Sequence, residues 1–286
     1  MPGFTYGCEL EWGDVPRSIE IPEELGSWDM TETDIINMRP PYQYVAADPL
    51  GINPPVGGEI NTAPTHTIQG QVEIITALKK LFPEEPTVGC RSHTHIHIFV
   101  PGLREDIVSL KKIVKYLGEN QEDMLAATYP FKPHPMMRKQ KGATYYFKQD
   151  GGLRMPQWMA KNLVEKTHDF DTFIKMHRSG KAGIRTHLRP YRYCLNTYWL
   201  SRSPTLEFRC FRGSTDESEI ESCFRFANRF IESALEGGPS VKEILSQEEF
   251  NFPPFNYSPE ANAGWMETKC NRVEKVRKFN DISKTL

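Results

Sequence analysis

Val88-Gly89-Cys90-Arg91-Ser92-His93-Thr94-His95-Ile96-His97-Ile98-Phe99-Val100 is the stretch from which the fold is read. His93, His95 and His97 alternate with Thr94, Ile96 and Ile98. Successive side chains of an extended strand point to opposite sides, so this spacing predicts a strand with three imidazoles on one face and aliphatic groups on the other. A buried apolar side opposite a row of nitrogen donors suits a strand that holds a metal ion or a phosphate over a sheet. The plainer reading is an exposed strand with a polar face, but three donors in register favour a site.

Two other stretches have the same character. Phe4 to Trp12 reads as a strand with Glu9 and Glu11 on one face and Cys8, Leu10 and Trp12 on the other. Thr205 to Phe211 reads as a strand with Glu207, Arg209 and Phe211 on one side and Leu206, Phe208 and Cys210 on the other. A buried strand carrying a glutamate beside an arginine must find a partner for each charge, as a structural ion pair or as part of a site. Between these stretches, Tyr191 to Tyr198 reads as a further strand. Residues 13 to 65 are rich in proline and glycine. The run Asp48 to Gly58 is expected as a long loop leading to Glu59.

The remaining segments have helical spacing. Ile68, Val72, Ile75, Leu78 and Phe82 predict a helix over 65–82, stopped at Pro83. Further helices are expected over 103–127, over 156–178 and from Asp216 to about 235. Ser240-x-x-Glu243 is the signature of a short capped helix. Residues 129–155 form a basic, aromatic loop with Lys132, Arg138, Lys139 and Tyr145. It is expected either as a solvated loop or as a flap over an anionic ligand such as ATP, with Arg138 among the binding candidates. The order of elements indicates an α+β fold in one domain spanning 1–286, with a core over about 4–235 and a peripheral segment over 236–286.

Composition narrows the function classes. A hydrophobic content of 38% with 25% charged residues is that of a globular chain, not a disordered one. Lysine and arginine number 35 against 37 acidic residues, so the net charge of -2 gives no general attraction to nucleic acid or membrane surfaces. No apolar run approaches the roughly 20 residues of a membrane span. Met1-Pro2-Gly3-Phe4-Thr5 lacks a secretory pattern, and a cytoplasmic location is expected. Cys8, Cys90, Cys194, Cys210, Cys223 and Cys270 form no close pairs, which suits reduced thiols. Gly57-Gly58 lacks the spacing and the lysine of a phosphate-binding loop, and no hydrolase-type nucleophile motif is present.

The distant strands together offer Glu9, Glu11, His95, His97, Glu207 and Arg209, with Glu59 at the end of the long loop. Several carboxylates with a histidine suit Mg2+ or Mn2+, which bridge phosphate oxygens, whereas zinc more often recruits cysteine or three histidines. Arginine suits phosphate or carboxylate clamping. This set points to metal-assisted phosphoryl transfer.

Gly7-Cys8-Glu9-Leu10-Glu11, Glu59-Ile60-Asn61-Thr62-Ala63-Pro64, His95-Ile96-His97-Ile98, Arg192-Tyr193-Cys194-Leu195-Asn196 and Thr205-Leu206-Glu207-Phe208-Arg209-Cys210-Phe211-Arg212-Gly213-Ser214-Thr215 together resemble the amidoligase family. That family belongs with carboxylate-amine ligases of the glutamine synthetase and glutamate-cysteine ligase type. The resemblance runs from residue 4 to about 235. It implies a curved antiparallel sheet funnel, as in the glutamine synthetase catalytic core, backed by helices. It also implies an ATP-dependent ligase acting through an acyl phosphate, with ATP and Mg2+ (or Mn2+) as cofactors. By motif, Glu9, Glu11, Glu59, His95 and Glu207 would hold metal, with Glu207, Arg209 and Arg212 acting in catalysis. Arg192, Asn196 and His97 would line the substrate or ATP pocket. Asp48 stands where the family often has Asp-Gly-Ser, but Pro49-Leu50 follows it, and His93 is an addition to the pattern. The implied partners are small-molecule or peptide carboxylates and amines; oligomeric state is left open. The competing readings are a metal-dependent hydrolase built on the His-x-His-x-His strand and a ligand-binding homologue without catalysis.

Overall fold

In the computed structural model, which describes residues 3–13, 15, 19–28, 57–86, 88, 93–129, 154–179 and 193–253, the histidine strand lies inside a sheet. β4 (His93–Phe99) is flanked by β1 (Thr5–Gly13) and β6 (Thr205–Arg212), antiparallel to both. β3 (Gly57–Thr62) pairs with the other edge of β1, and β2 (Gly26–Trp28) pairs with β3. β5 (Leu195–Asn196) pairs with β6. Among the described residues the result is a six-stranded antiparallel sheet ordered β2-β3-β1-β4-β6-β5. With the helices it makes an α+β fold.

The helices among the described residues are α1 (Ile68–Leu81), α2 (Ile107–Thr128), α3 (Gln157–Lys166), α4 (Phe170–Ser179), α5 (Glu217–Glu236) and α6 (Val241–Gln247). Their ends follow local chemistry. Thr67, Asp106, Asp216 and Ser240 accept hydrogen bonds from the first-turn amides of α1, α2, α5 and α6, and Ser240 with Glu243 completes the capping box. At the other end of α5, Gly237 adopts the left-handed φ of +70° that suits glycine there.

One face of the sheet is buried. Leu10, Ile60, Ile96, Ile98, Leu206 and Phe208 are fully enclosed and join one core with the inner sides of α1, α2 and α5. Phe208 meets Phe230 of α5 edge to face at 5.5 Å, and Tyr6 meets Phe224 of α5 in the same way at 6.2 Å. α3 packs on α2, and α6 buries Val241 and Ile244 against the same side. No helix among the described residues is long and apolar enough to cross a membrane.

Several sequence expectations need correction. The helix expected over 156–178 is two helices broken at Thr167-His168-Asp169. Thr167 bonds back to the Leu163 carbonyl at 2.5 Å, and Asp169 accepts from the Thr172 amide at 2.7 Å, so one helix closes where the next is capped. Within the described part, 193–198, of the strand expected over 191–198, only Leu195–Asn196 is strand. The Asn196 side chain caps a 3₁₀ turn over Thr197–Ser201 by accepting from the Trp199 amide. Glu59, expected at the end of a loop, sits inside β3. β2 was not anticipated. It is only three residues long, and Gly26 lies so close to β3 that an added Cβ would stand 2.2 Å from the Asn61 carbonyl oxygen.

The strict alternation expected along β6 also fails. Thr94 pairs with Phe211 and Ile96 with Phe208, so Arg209 and Cys210 together face the single residue His95. This β-bulge turns Phe211 to the helix side, where its ring stacks on Phe208 at 6.4 Å. The expected grouping of Phe211 with Glu207 and Arg209 is therefore wrong. Arg212, three residues after Arg209, comes round to the face that carries Glu207 and Arg209.

Candidate functional site

The site is the sheet face opposite α1, α2 and α5, the open face among the described residues, and strand register composes it. Glu9 pairs across with His95 on one side and Asn61 on the other; Glu11 pairs with Glu59. His97 lies between Gly7 and Glu207, and Asn196 lies beyond Glu207. His93 pairs with Arg212. Directly opposed residues share a face with Cβ atoms about 5 Å apart. Groups far apart in the chain thus form a continuous field of four carboxylates, three imidazoles and two guanidiniums.

Contacts in this field are close. His95 Nδ1 lies 2.5 Å from Glu9 Oε2 and 3.6 Å from Glu207 Oε1. His97 Nε2 lies 2.9 Å from Glu9 Oε1, and its Nδ1 is 3.2 Å from the Thr205 hydroxyl. The His97 Nε2–Glu9 pair is close in distance but badly aligned for a ring N–H bond, so that buried nitrogen lacks a hydrogen-bond partner. A nitrogen so placed beside a carboxylate oxygen is disposed to share a cation with it. The His93 amide donates to Glu11 Oε2 at 2.8 Å, and its ring Nδ1 is 3.4 Å from the same oxygen.

Glu207 is almost wholly buried, at 1% exposure. One carboxylate oxygen accepts from the Asn196 amide and the other from the Arg209 guanidinium. Asn196 is fully buried and braces Glu207 from behind while its own oxygen holds the 3₁₀ turn. Arg212 lies over the Tyr129 ring, 3.8 Å from its centre, and Tyr129 stacks in parallel with His93.

Electrostatics favour the ionised form of Glu9 and Glu11. Burial raises the Glu9 carboxyl, but the hydrogen bond with His95 and the charges of His95 and His97 outweigh it and hold the group well below the usual carboxylate range. Burial also raises Glu11, and bonds from His93 with the charges of His93 and His95 bring it below its ordinary value. Both groups are ionised donors near neutral pH.

Three overlapping sets on this face can each surround one ion: Glu11 with His93 and His95, Glu9 with Glu59 and His95, and Glu9 with His97 and Glu207. In each set the ligand atoms lie within 4.8 Å of one another. Two sets have two oxygens and one nitrogen, a composition that fits Mg2+ or Mn2+; the third has one oxygen and two nitrogens. Glu9, Glu11, Glu59, His95 and Glu207 are therefore brought together as a donor field. His97, expected to touch substrate or nucleotide, lies among the possible ligands, and so does His93. Arg192, Arg138 and Asp48 lie outside the described residues, as does the basic loop apart from Tyr129, Arg154 and Met155.

Sequence reading missed a cavity of about 480 Å³ at the Thr205 end of β4, bounded by Gly7, Asn61, His97, Phe99, Trp199 and Thr205. Its sequence signals were His97, expected at a substrate or ATP pocket, and Asn61, two residues after Glu59 and so on the same strand face.

No family model and no curated protein matches the chain. Among solved structures it is similar to a bifunctional glutathione synthetase from Pasteurella multocida, with 14% identity and a TM-score of 0.37. That match covers 93% of this chain and 43% of the other, so the chain spans less than half of that protein's length.

Proposed function

We propose that this chain is an ATP-dependent carboxylate-amine ligase of the amidoligase type, its open sheet face curved into a funnel as in glutamine synthetase-like cores. The observation that carries the reading is the convergence of Glu9, Glu11, Glu59 and Glu207 with His95 and His97 on one face beside Arg209 and Arg212. Carboxylates joined by imidazoles suit ions that bridge phosphate oxygens, and paired guanidiniums suit a transferring phosphoryl group.

Mg2+-bound ATP would supply the phosphoryl group and neutralise its charge. In the proposed reaction a substrate carboxylate oxygen bonds to the γ-phosphorus, and the bond from that phosphorus to the bridging oxygen of ADP breaks. The free-base amine then attacks the acyl carbon. The C–O bond to phosphate breaks with its electron pair on oxygen, and the proton from nitrogen leaves on the phosphate. Glu9, Glu11, Glu59, His95 and Glu207, with His97, hold the ions in this scheme, and Arg209 and Arg212 steady the phosphoryl and acyl phosphate groups. Asn196 fixes Glu207. The nucleophile comes from the substrate, which accords with the lack of a hydrolase-type nucleophile motif.

The test is ADP release with Mg2+, screened across carboxylates and amines. Release that needs both substrates supports the ligase; amide hydrolysis without nucleotide overturns it. One observation favours that second reading. Glu11, His93 and His95 make a two-histidine, one-carboxylate set of the kind that holds catalytic zinc and activates water. Zn2+-dependent, ATP-independent amidase activity lost in His93→Ala would select it.

A further inference from the structure

The cavity beside the donor field differs in chemistry from the rest of the face. On β4, His93 opposes Arg212 at one end and Phe99 opposes Thr205 at the other. Six residue steps separate the two ends, about 20 Å of strand. Arg209 and Arg212 lie towards the first end, and the cavity opens at the second. Among the described residues, both arginines and most of the carboxylates of the face therefore lie away from the cavity, which is aromatic and hydroxylic.

The floor and walls favour a particular ligand. Gly7 opposes His97 on the open face, and a Cβ added there would meet nothing nearer than 3.9 Å. The room is left by the absent side chain. Trp199 and Phe99 bring aromatic surface, and Thr205, Ser203 and Asn61 bring oxygen acceptors. Among the described residues lining it there is no lysine or arginine, and Glu9 at the rim supplies the only carboxylate. Such a lining offers a phosphate or a carboxylate hydroxyl, amide and imidazole donors but no lysine or arginine. It suits a cation that carries an apolar body, because aromatic faces and oxygen acceptors both favour positive charge. A cavity of about 480 Å³ admits a small molecule.

The cavity is also wired to the donor field. Asn196 accepts from the Trp199 amide and donates to Glu207, so one side chain sets both the aromatic wall and a metal-site carboxylate. Ser203 Oγ lies 2.9 Å from Thr205 Oγ1, which lies 3.2 Å from His97 Nδ1.

We infer that this cavity is the subsite for the amine-bearing substrate, taken as an ammonium group on an apolar or aromatic body. The word substrate rests on the ligase reading above; the binding preference rests on the cavity alone. The phosphoryl chemistry then belongs to the arginine end and amine entry to the Trp199 end. The ammonium loses one proton to water at the cavity mouth before its nitrogen attacks.

The experiment titrates phenethylammonium chloride into the full chain by NMR, against phenylethanol and phenylpropionate as neutral and anionic shape controls. The ammonium compound binds at least about tenfold more tightly than either control. Trp199→Ala weakens it by about tenfold, and Gly7→Leu, which fills the floor, abolishes it. Equal binding of the carboxylate, or undiminished binding in Gly7→Leu, overturns the inference. Gly7→Ala serves as a smaller plug should Gly7→Leu not fold by circular dichroism. In amine-stimulated ADP release, Trp199→Ala raises the amine KM about tenfold against a smaller change in the ATP KM. Stimulated ADP release with an unaltered amine KM in both Trp199→Ala and a folded Gly7 variant rejects the subsite and keeps the ligase. Ammonium-selective binding lost in Gly7→Leu, without any ADP release, keeps the subsite and rejects the ligase.

Discussion

The two faces of one sheet are built from alternate residues of the same strands, yet they answer to opposite physics. On the helix side, Leu10, Ile96 and Phe208 are fully enclosed, and removal of apolar surface from water holds α1, α2 and α5 against the strands. On the open side, their neighbours Glu9, His95, His97 and Glu207 crowd ionisable groups into buried or partly buried positions. Glu9, Glu11 and Glu59 carry the same charge on adjacent rows, an arrangement that repels unless cations or imidazoles lie between them. One face lowers the free energy of the fold, and the other is tolerated because the first is strong.

The contrast can be broken on the helix side first. Phe208→Ala removes a fully buried ring packed against Phe230 and Phe211, and is expected to cost about 3–5 kcal/mol in denaturant unfolding. A cost below about 1 kcal/mol would mean that this face is not the main source of stability.

Glu207→Gln probes the other side. The amide keeps the shape of the carboxylate but loses the charge that faces His95 and Arg209. ATP turnover is expected to fall by about a hundredfold to a thousandfold, or ~3–4 kcal/mol, with the melting temperature moved by only a few degrees. Full turnover with a collapsed melting temperature would instead mark Glu207 as a structural ion-pair member.

Imidazoles sharpen the comparison. His177 of α4 is fully enclosed near Phe173 and Tyr198, with Nε2 2.9 Å from the Thr197 hydroxyl, and burial pushes its pKa down to about 3. His95, equally enclosed, instead faces Glu9 and Glu207. The folded chain keeps His177 neutral where an unfolded histidine, with a pKa of about 6.5, takes up a proton. Its contribution is therefore complete above about pH 6.5 and is lost as pH falls toward about 3, by up to about 1.4 kcal/mol per pH unit. Unfolding midpoints at pH 5 and pH 7 should differ less in His177→Gln, which keeps a hydrogen-bonding group and cannot titrate. An unchanged difference would show that His177 is not the titrating group.

Much of this molecule was legible because its signals are local. Alternation gives the faces of β1 and β4, helical spacing places α1, α2 and α5, and Ser240 with Glu243 marks the start of α6. That Glu9, Glu11, His95 and Glu207 lie off the apolar side of their strands was legible too, since the residues between them are apolar. Local reading failed where a side chain competed with the backbone, at Asp169 between α3 and α4 and at Asn196 before the 3₁₀ turn. It failed again where the apolar pattern is too short to carry a period, as in β2.

What the sequence by itself determined is which residues face away from the core, because that depends on the pitch of the backbone and the water-avoidance of the residues between them. Only the tertiary structure decided which of them meet. Register set Glu9 against His95 and Glu11 against Glu59, the bulge at Arg209-Cys210 brought Arg212 round to the donor face, and the space over Gly7 became a cavity. Those pairings are made between segments tens to hundreds of residues apart, where hydrogen-bond registry and core packing choose one alignment among many that the alternating pattern allows.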